Sequence, residues 1–305
     1  MNPETKIPVG AIKLYNDYIH GEIDRRAFMD GLKKYTIAGL TVAAISETLM
    51  PKYAQGQQVR KDDDRIKASY ETVQSPMGNG TIKGYFVRPV SADTREAMPS
   101  KLPGVIVIHE NRGLNPHIED VARRFAMENF MAFAPDGLTS LGGFPGDDFR
   151  GGQMFGKVDG NKMREDIYAS ALWLKNRADS NGKICATGFC FGGGVCNTMA
   201  VRLGADLAAI APFYGGNPPL PDVPKIKAAV LVHHGALDTR LAMAWPAYEA
   251  ELKKANIPNE GHIYPNSVHG FNCDATPERY NKAAATAAWT RTIEWFNQYA
   301  RPAAG

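Results

Sequence analysis

Cysteine is scarce and oddly placed. The 305 residues contain four, too few for a disulfide framework. Three of them fall inside "CATGFCFGGGVC", from Cys185 to Cys196. The spacings of five and six between Cys185, Cys190 and Cys196, with no His-x-x-x-His nearby, lack the paired ligands of a structural zinc site. An excess of either charge is missing as well. The 35 Lys and Arg against 32 Asp and Glu leave a formal charge of +3, and no basic run is interleaved with aromatics, which gives nucleic-acid binding no support. No apolar run reaches the roughly 20 residues of a membrane-spanning helix. No repeat of roughly 20–50 residues and no low-complexity tract is visible.

What remains is ordinary globular composition, 44% hydrophobic and 22% charged, and it divides into residues 1–58 and 59–305. The first segment contains "DRRAFMDGLKKYTIAGLTVAAIS", with Arg25 and Arg26 ahead of Phe28 and an apolar core from about Tyr35 to Ile45. Two readings stand. One is a twin-arginine export signal, implying a periplasmic protein, with "YAQ" (residues 53–55) as the cleavage neighbourhood. Against it, Asp24 stands where Ser or Thr is usual, some two dozen residues precede the arginines, and Glu47 closes the apolar core. The other is a retained helical arm on a cytoplasmic protein, with Leu14, Tyr18, Ile23 and Phe28 packed on the main body. "MPKYAQGQQV" (50–59) reads as a linker.

From Val59 onward, strand and helix patterns alternate. "TIKGYFVRPV" reads as an early antiparallel strand, and "GVIVIHE" (104–110) as a strand buried on both faces. Helical patterns cover 118–130, the stretch "MREDIYASALWLKNRA", the segment after Cys190, "AMAWPAYEAELKKA", and a long closing helix from 283 to 300. Between them lie the strands "MAFAP", "KICATGF", "LAAIAPFYG", "AAVLVHHG" and "EGHIYP", while 138–160 reads as a long Gly-rich loop. "AMPSKLP" (97–103) is a turn. The pattern predicts a mostly parallel sheet with helices on both faces. In such folds the chemistry lies at the carboxyl ends of strands.

Gly188-Phe189-Cys190-Phe191-Gly192 stands between a strand and a helix. It is a G-x-S-x-G turn with cysteine for serine: the nucleophile sits in strained backbone, and side chains two positions either side would collide. The helix N-terminus favours thiolate, and the Phe191 N–H points where an oxyanion would form. The glycines do not match G-x-G-x-x-G, and no Gly-Lys-Ser/Thr follows, which excludes a phosphate cradle. Cys185, Cys196 and Cys273 read as plain buried thiols.

A thiol nucleophile needs a base and an orienting acid. Asp238 follows the strand "AAVLVHHG", and His269 lies before the final helix, in the chain order nucleophile, acid, base. His233 and His234 read as core histidines, His262 starts a strand away from this edge, and His20, His109 and His117 come too early. "VIHENRGLN" ends the first buried strand, where the N–H of Asn111 would supply a second oxyanion donor. Glu110 beside a thiol would raise its pKa above ~8.5; otherwise it is a structural ion pair with Arg112 or Arg150.

Together, "HENRGLN", "PDG", "SNGKICATGFCFGGG", "FYGG", "HHGALD" and "HGF", over about residues 65–300, resemble the dienelactone hydrolases (carboxymethylenebutenolidases) of the α/β-hydrolase superfamily. The resemblance implies an α/β-hydrolase fold behind an N-terminal helical extension. It also implies a Cys190–His269–Asp238 triad, an oxyanion hole from Asn111 and Phe191, and a Glu110 that holds the resting thiol unreactive until substrate displaces it. A small ester or lactone substrate is implied, with no metal or organic cofactor, and Tyr214 of "FYGG" in the substrate pocket. The pattern departs in one place: dienelactone-cleaving members carry an arginine shortly after the histidine, where "HGFNCD" has Asn272 and Cys273. Arg112 and Arg150 are the substitutes for binding a substrate anion. Rival readings are a broad esterase on neutral esters, and a non-catalytic or thiol-redox-responsive relative.

Overall fold

The computed structural model describes residues 7–19, 22–36, 41–90 and 101–301. His20, part of the apolar core after the paired arginines, and the start of the turn at 97–103 lie outside the described residues.

The sheet strands are β1 (Ile66–Ser75), β2 (Gly80–Pro89), β3 (Leu102–Ile108), β4 (Met131–Pro135), β5 (Ser180–Phe189), β6 (Ala209–Phe213), β7 (Ala229–Gly235) and β8 (Asn259–Tyr264), in the spatial order β1-β2-β4-β3-β5-β6-β7-β8. β1 and β2 form an antiparallel hairpin and β2 runs antiparallel to β4; every pairing from β4 to β8 is parallel. Strands β3, β4, β6 and β7 are buried at every position, because helices cover both faces of a parallel sheet. On one face lie α5 (Pro116–Met127) and α10 (Lys282–Ala300), where Phe125 meets Trp289 at 4.6 Å and Phe296 at 5.9 Å. On the other, α7 (Gly160–Lys175), α8 (Phe191–Leu203) and α9 (Thr239–Lys254) press Ile167, Met199 and Tyr248 toward Ile106, Ile184 and Val230.

Two elements depart from the sequence reading. β1 was not anticipated: "IKASYETVQS" is half polar and alternates only loosely in burial, as an edge strand does. The segment 138–160 is not a continuous loop. It contains α6 (Asp148–Phe155), started by the Asp147 side chain, which accepts the Arg150 N–H at 2.8 Å. Two glycines within eight residues hid that helix.

Before the sheet, the described residues of the arm form α1 (Val9–Ile19), α2 (Arg25–Leu32), α3 (Val42–Leu49) and α4 (Tyr53–Gly56). It has its own small core of Ile12, Tyr15, Phe28, Leu32, Ile45 and Leu49, against which Val268 of the main domain packs. The expectation that Leu14, Tyr18, Ile23 and Phe28 pack on the main body is corrected: they close on the arm itself, Tyr18 stacking on Phe28 at 4.8 Å. Arg25 and Arg26 open α2 with exposed side chains, behind an N-cap in which Asp24 accepts the Ala27 N–H at 2.7 Å. Among the described residues no helix is long and apolar enough to cross a membrane.

The expected linker is pinned rather than loose. The carboxylate of Asp120, 1% exposed, accepts the backbone N–H groups of Gln58 at 3.2 Å and Val59 at 2.9 Å. Arg123, fully buried, donates to Val59 O at 2.8 Å and to Asp120 at 3.3 Å; Arg124 donates to Asp120 and to Asp274 at 2.6 Å. Charges this deep persist only when paired and hydrogen-bonded. Asp120→Ala leaves the Arg123 guanidinium without its carboxylate and is expected to cost about 3–5 kcal/mol in urea unfolding; a loss below about 1 kcal/mol would mean that this network does not hold the junction.

Candidate active site

The turn after β5 shows why its glycines are there. Cys190 has φ +54° and ψ −112°, a strained conformation for any residue with a side chain. A Cβ on Gly188 would lie 2.3 Å from Gly192 O, and one on Gly192 would lie 2.3 Å from Ile108 O. Backbone therefore meets backbone between the start of α8 and the end of β3. Cys190 N–H donates to Phe213 O at 3.1 Å and Cys190 O accepts from Gly194 N–H at 3.1 Å, so the sharp turn is tied to β6 and to the new helix. Phe191 is the first residue of α8, where backbone N–H groups have no intrahelical partner.

The approach of Gly192 brings the loop after β3 beside the sulfur. That loop is held from behind by His109, fully buried. Gly137 N–H donates to His109 Nε2 at 2.9 Å, so Nε2 is the unprotonated nitrogen and Nδ1–H donates to Glu110 O. Burial keeps the His109 pKa below its ordinary range and the ring neutral. Asp136 of "PDG" does similar work: its carboxylate accepts N–H groups of Leu138 at 3.0 Å, Phe144 at 2.7 Å and Leu114 at 3.3 Å. These two positioning roles were not read from the sequence, although "PDG" marked the place.

Asp238 immediately precedes α9 without a side-chain cap bond to it, and His269 lies in the loop after β8. His269 Nδ1 and Asp238 Oδ2 are 2.6 Å apart, with the imidazole 7% exposed. Burial pulls the His269 pKa down, but the negative charge of the Cys190 sulfur as thiolate, which shares a hydrogen bond with the ring, and the Asp238 carboxylate push it up to about 9. Burial opposes the ionisation of Asp238, yet His269 and Arg240 hold its pKa below 3.8. Thiol, imidazole and carboxylate are thus in one chain, and His269 is the histidine that joins them. His233 is a core residue bonded to Tyr264 and Thr292 at 3.0 Å, and His262 faces Glu260. Tyr214, expected in the substrate pocket, borders the open cleft at Cys190; it is 1% exposed, at φ +38°, and its ring lies 5.0 Å from that of His269.

Two spaces meet at Cys190. An open cleft of about 330 Å³ is lined by Arg164, Phe191, Asn217, Arg240 and His269. On the other side is a closed chamber of about 10 Å³, whose wall includes Glu110, Asn111, Arg112, Asp148 and Arg279. Arg112 is seated against α6, where a Cβ on Gly152 would strike its guanidinium. Arg150 is exposed on α6 and lines neither space, so the reading of it as a partner for Glu110 or an anion anchor is corrected. Arg279 was missed altogether. It is 5% exposed, and its Nε and Nη1 have no hydrogen-bond partner. Gly270, at φ +83°, makes room: a Cβ there would lie 2.7 Å from Nη1. Cys273 also borders the chamber, with His117 3.2 Å from Asp274 behind it. It is a buried residue outside any strand-to-helix turn.

A dienelactone hydrolase family model matches residues 82–300. The chain belongs to the dienelactone hydrolase family. A "Putative carboxymethylenebutenolidase" of Escherichia coli O157:H7 is 31% identical over 257 residues, covering 79% of this chain and 90% of the relative. The "Putative hydrolase fragment YghX" of Escherichia coli K12 is 48% identical over 120 residues, 39% of this chain and 97% of that one. A crystal structure of a putative dienelactone hydrolase from Klebsiella pneumoniae superposes with a TM-score of 0.64 at 27% identity, over 76% of this chain and all of the other. The fold is accordingly the α/β-hydrolase fold, as expected. In this dienelactone hydrolase family member the matched region leaves out the arm, which nevertheless supplies Tyr15, Pro51 and Tyr53 to the closed chamber.

The His269–Asp238 pair has a defined pH window. Its imidazole pKa of about 9 exceeds the ordinary 6.5, so this contribution to stability is full below 6.5 and lost as pH rises through about 9. The depressed Asp238 contributes above 3.8 and is lost as pH falls through its folded value. Asp238→Asn is expected to lower the His269 pKa by about a unit in an NMR titration of the imidazole. An unchanged titration would show that the carboxylate does not charge the ring.

Proposed function

We propose that this protein hydrolyses carboxylic esters or lactones through a covalent acyl-thioester on Cys190. The observation that carries the reading is the Cys190–His269–Asp238 chain, with Cys190 on a strained turn that is bordered by the first residue of α8 and by the loop carrying Asn111. In the forward step the thiol proton resides on His269 Nε2, the Cys190 sulfur attacks the carbonyl carbon as thiolate, and Asp238 holds the imidazolium. The backbone N–H groups of Phe191 and Asn111 receive the carbonyl oxygen as it becomes an oxyanion. When the carbon–oxygen bond breaks, the imidazolium proton goes to the departing alkoxide. A water deprotonated by His269 then attacks the thioester, the acid leaves, and the proton returns to sulfur.

Glu110 lies in the chamber with Arg112 and Arg279, and the reading gives it the task of holding the resting thiol protonated. The open cleft of about 330 Å³ is within the range of small-molecule sites, and substrate enters from that side. The names of the relatives support ester or lactone chemistry. A thiol-redox reading has less support, because Cys185 and Cys196 are buried in β5 and α8, and burial pushes both thiols up.

Cys190→Ala is expected to reduce kcat/KM toward an aryl acetate and an enol-lactone by about 10³-fold or more, with circular dichroism unchanged. Turnover within a few-fold of wild type would reject a covalent role for this sulfur.

A further inference from the structure

The arm meets the main domain at a chemically unusual place. Tyr15 is 3% exposed, and its ring lies under the Arg279 guanidinium at 5.2 Å from the carbon to the ring centroid. Tyr53 donates to Asp148 at 2.6 Å, tying the arm to α6. Gly56 packs so closely on the loop after His269 that a Cβ would lie 2.6 Å from Ala275 N. With these contacts made, the chamber between Cys190 and Arg279 has about 10 Å³ left, the space of one water molecule. Its wall carries two arginines against the carboxylates of Glu110 and Asp148, yet on Arg279 two donor nitrogens have no partner although the residue is nine-tenths buried. Buried donors are rarely left unsatisfied, and a guanidinium between an aromatic face and a cavity is a ready anion receptor.

We propose that Tyr15 is the specificity-determining residue of this chamber: its side chain fills the space through which an anionic group of the substrate would reach the N–H edge of Arg279, so the arm decides whether that half of the site is open. With Tyr15 in place, Cys190 is reached only from the open cleft and the site favours esters whose reacting end is small and neutral. With Tyr15 withdrawn, Arg279 faces the sulfur and the site admits a carboxylate-bearing group. The inference rests on Cys190 as the reacting atom, but not on ester turnover.

The test is alkylation of Cys190 in the full chain by iodoacetate, a carboxylate, and by neutral iodoacetamide, with the modified peptide identified by mass spectrometry. Tyr15→Ala is expected to raise the iodoacetate-to-iodoacetamide rate ratio by about tenfold. Tyr15→Leu, which keeps an apolar group in the arm's core, serves if the alanine variant fails to fold and is expected to act alike. Arg279→Met should abolish the gain when combined with Tyr15→Ala. An unchanged ratio in both Tyr15 variants would overturn the proposal. So would equal acceleration of both reagents, or a gain that survives without Arg279. Each of these results is independent of whether the protein hydrolyses any ester.

Discussion

Backbone pressed against backbone at the carboxyl end of the sheet is the constraint from which the site follows. Gly188 and Gly192 permit contacts that no side chain would tolerate, Gly192 lying directly over the carbonyl of Ile108. Because α8 starts against the end of β3, its first turn and the loop from Glu110 to Arg112 both border Cys190. The strain at Cys190 is held in place by hydrogen bonds to β6 and α8, and β7 and β8 deliver Asp238 and His269 to the same edge. Parallel strands in register place these loops side by side without any direct link along the chain.

Charge organises what sterics assemble. His109 is kept neutral by burial while His269 is pushed up to about 9 by its thiolate and carboxylate neighbours. Two imidazoles at one strand edge thus serve different ends: one holds a loop and the other can carry a proton. The chamber behind the sulfur gathers Glu110, Asp148, Arg112 and Arg279 into little space, where their mutual effects are poorly screened. The arm is the lid of that chamber, and Asp120, Arg123 and Arg124 bolt its last turn to the domain.

Much of this was legible in the sequence because it is local. The glycine spacing around Cys190, the continuous apolar strands, and an acid and a histidine at the ends of later strands each leave a short signature. Arg279 left none: it lies ten residues beyond His269, and successive turns from Gly270 through Cys273 and Thr276 fold it back to the site. Tyr15 was equally silent, since an aromatic at helical spacing reads as core, and the stretch from Met50 to Val59 has linker composition although buried carboxylates hold it. Arg150 was misplaced because the helix that carries it, with two glycines, looked like loop. What the sequence hid is long-range packing around the site, whereas the chemistry of the nucleophile turn is written in five consecutive residues.

The central claim is that the sulfur of Cys190 becomes bonded to the acyl group of the substrate. Acid quenching within milliseconds of mixing with an aryl ester, followed by intact mass and peptide mapping, tests it directly. A covalent pathway predicts one acyl mass increment on the peptide containing Cys190, formed before the steady state and lost on further incubation. Turnover with no adduct under these conditions, or an adduct confined to Cys273 or a surface residue, would contradict it.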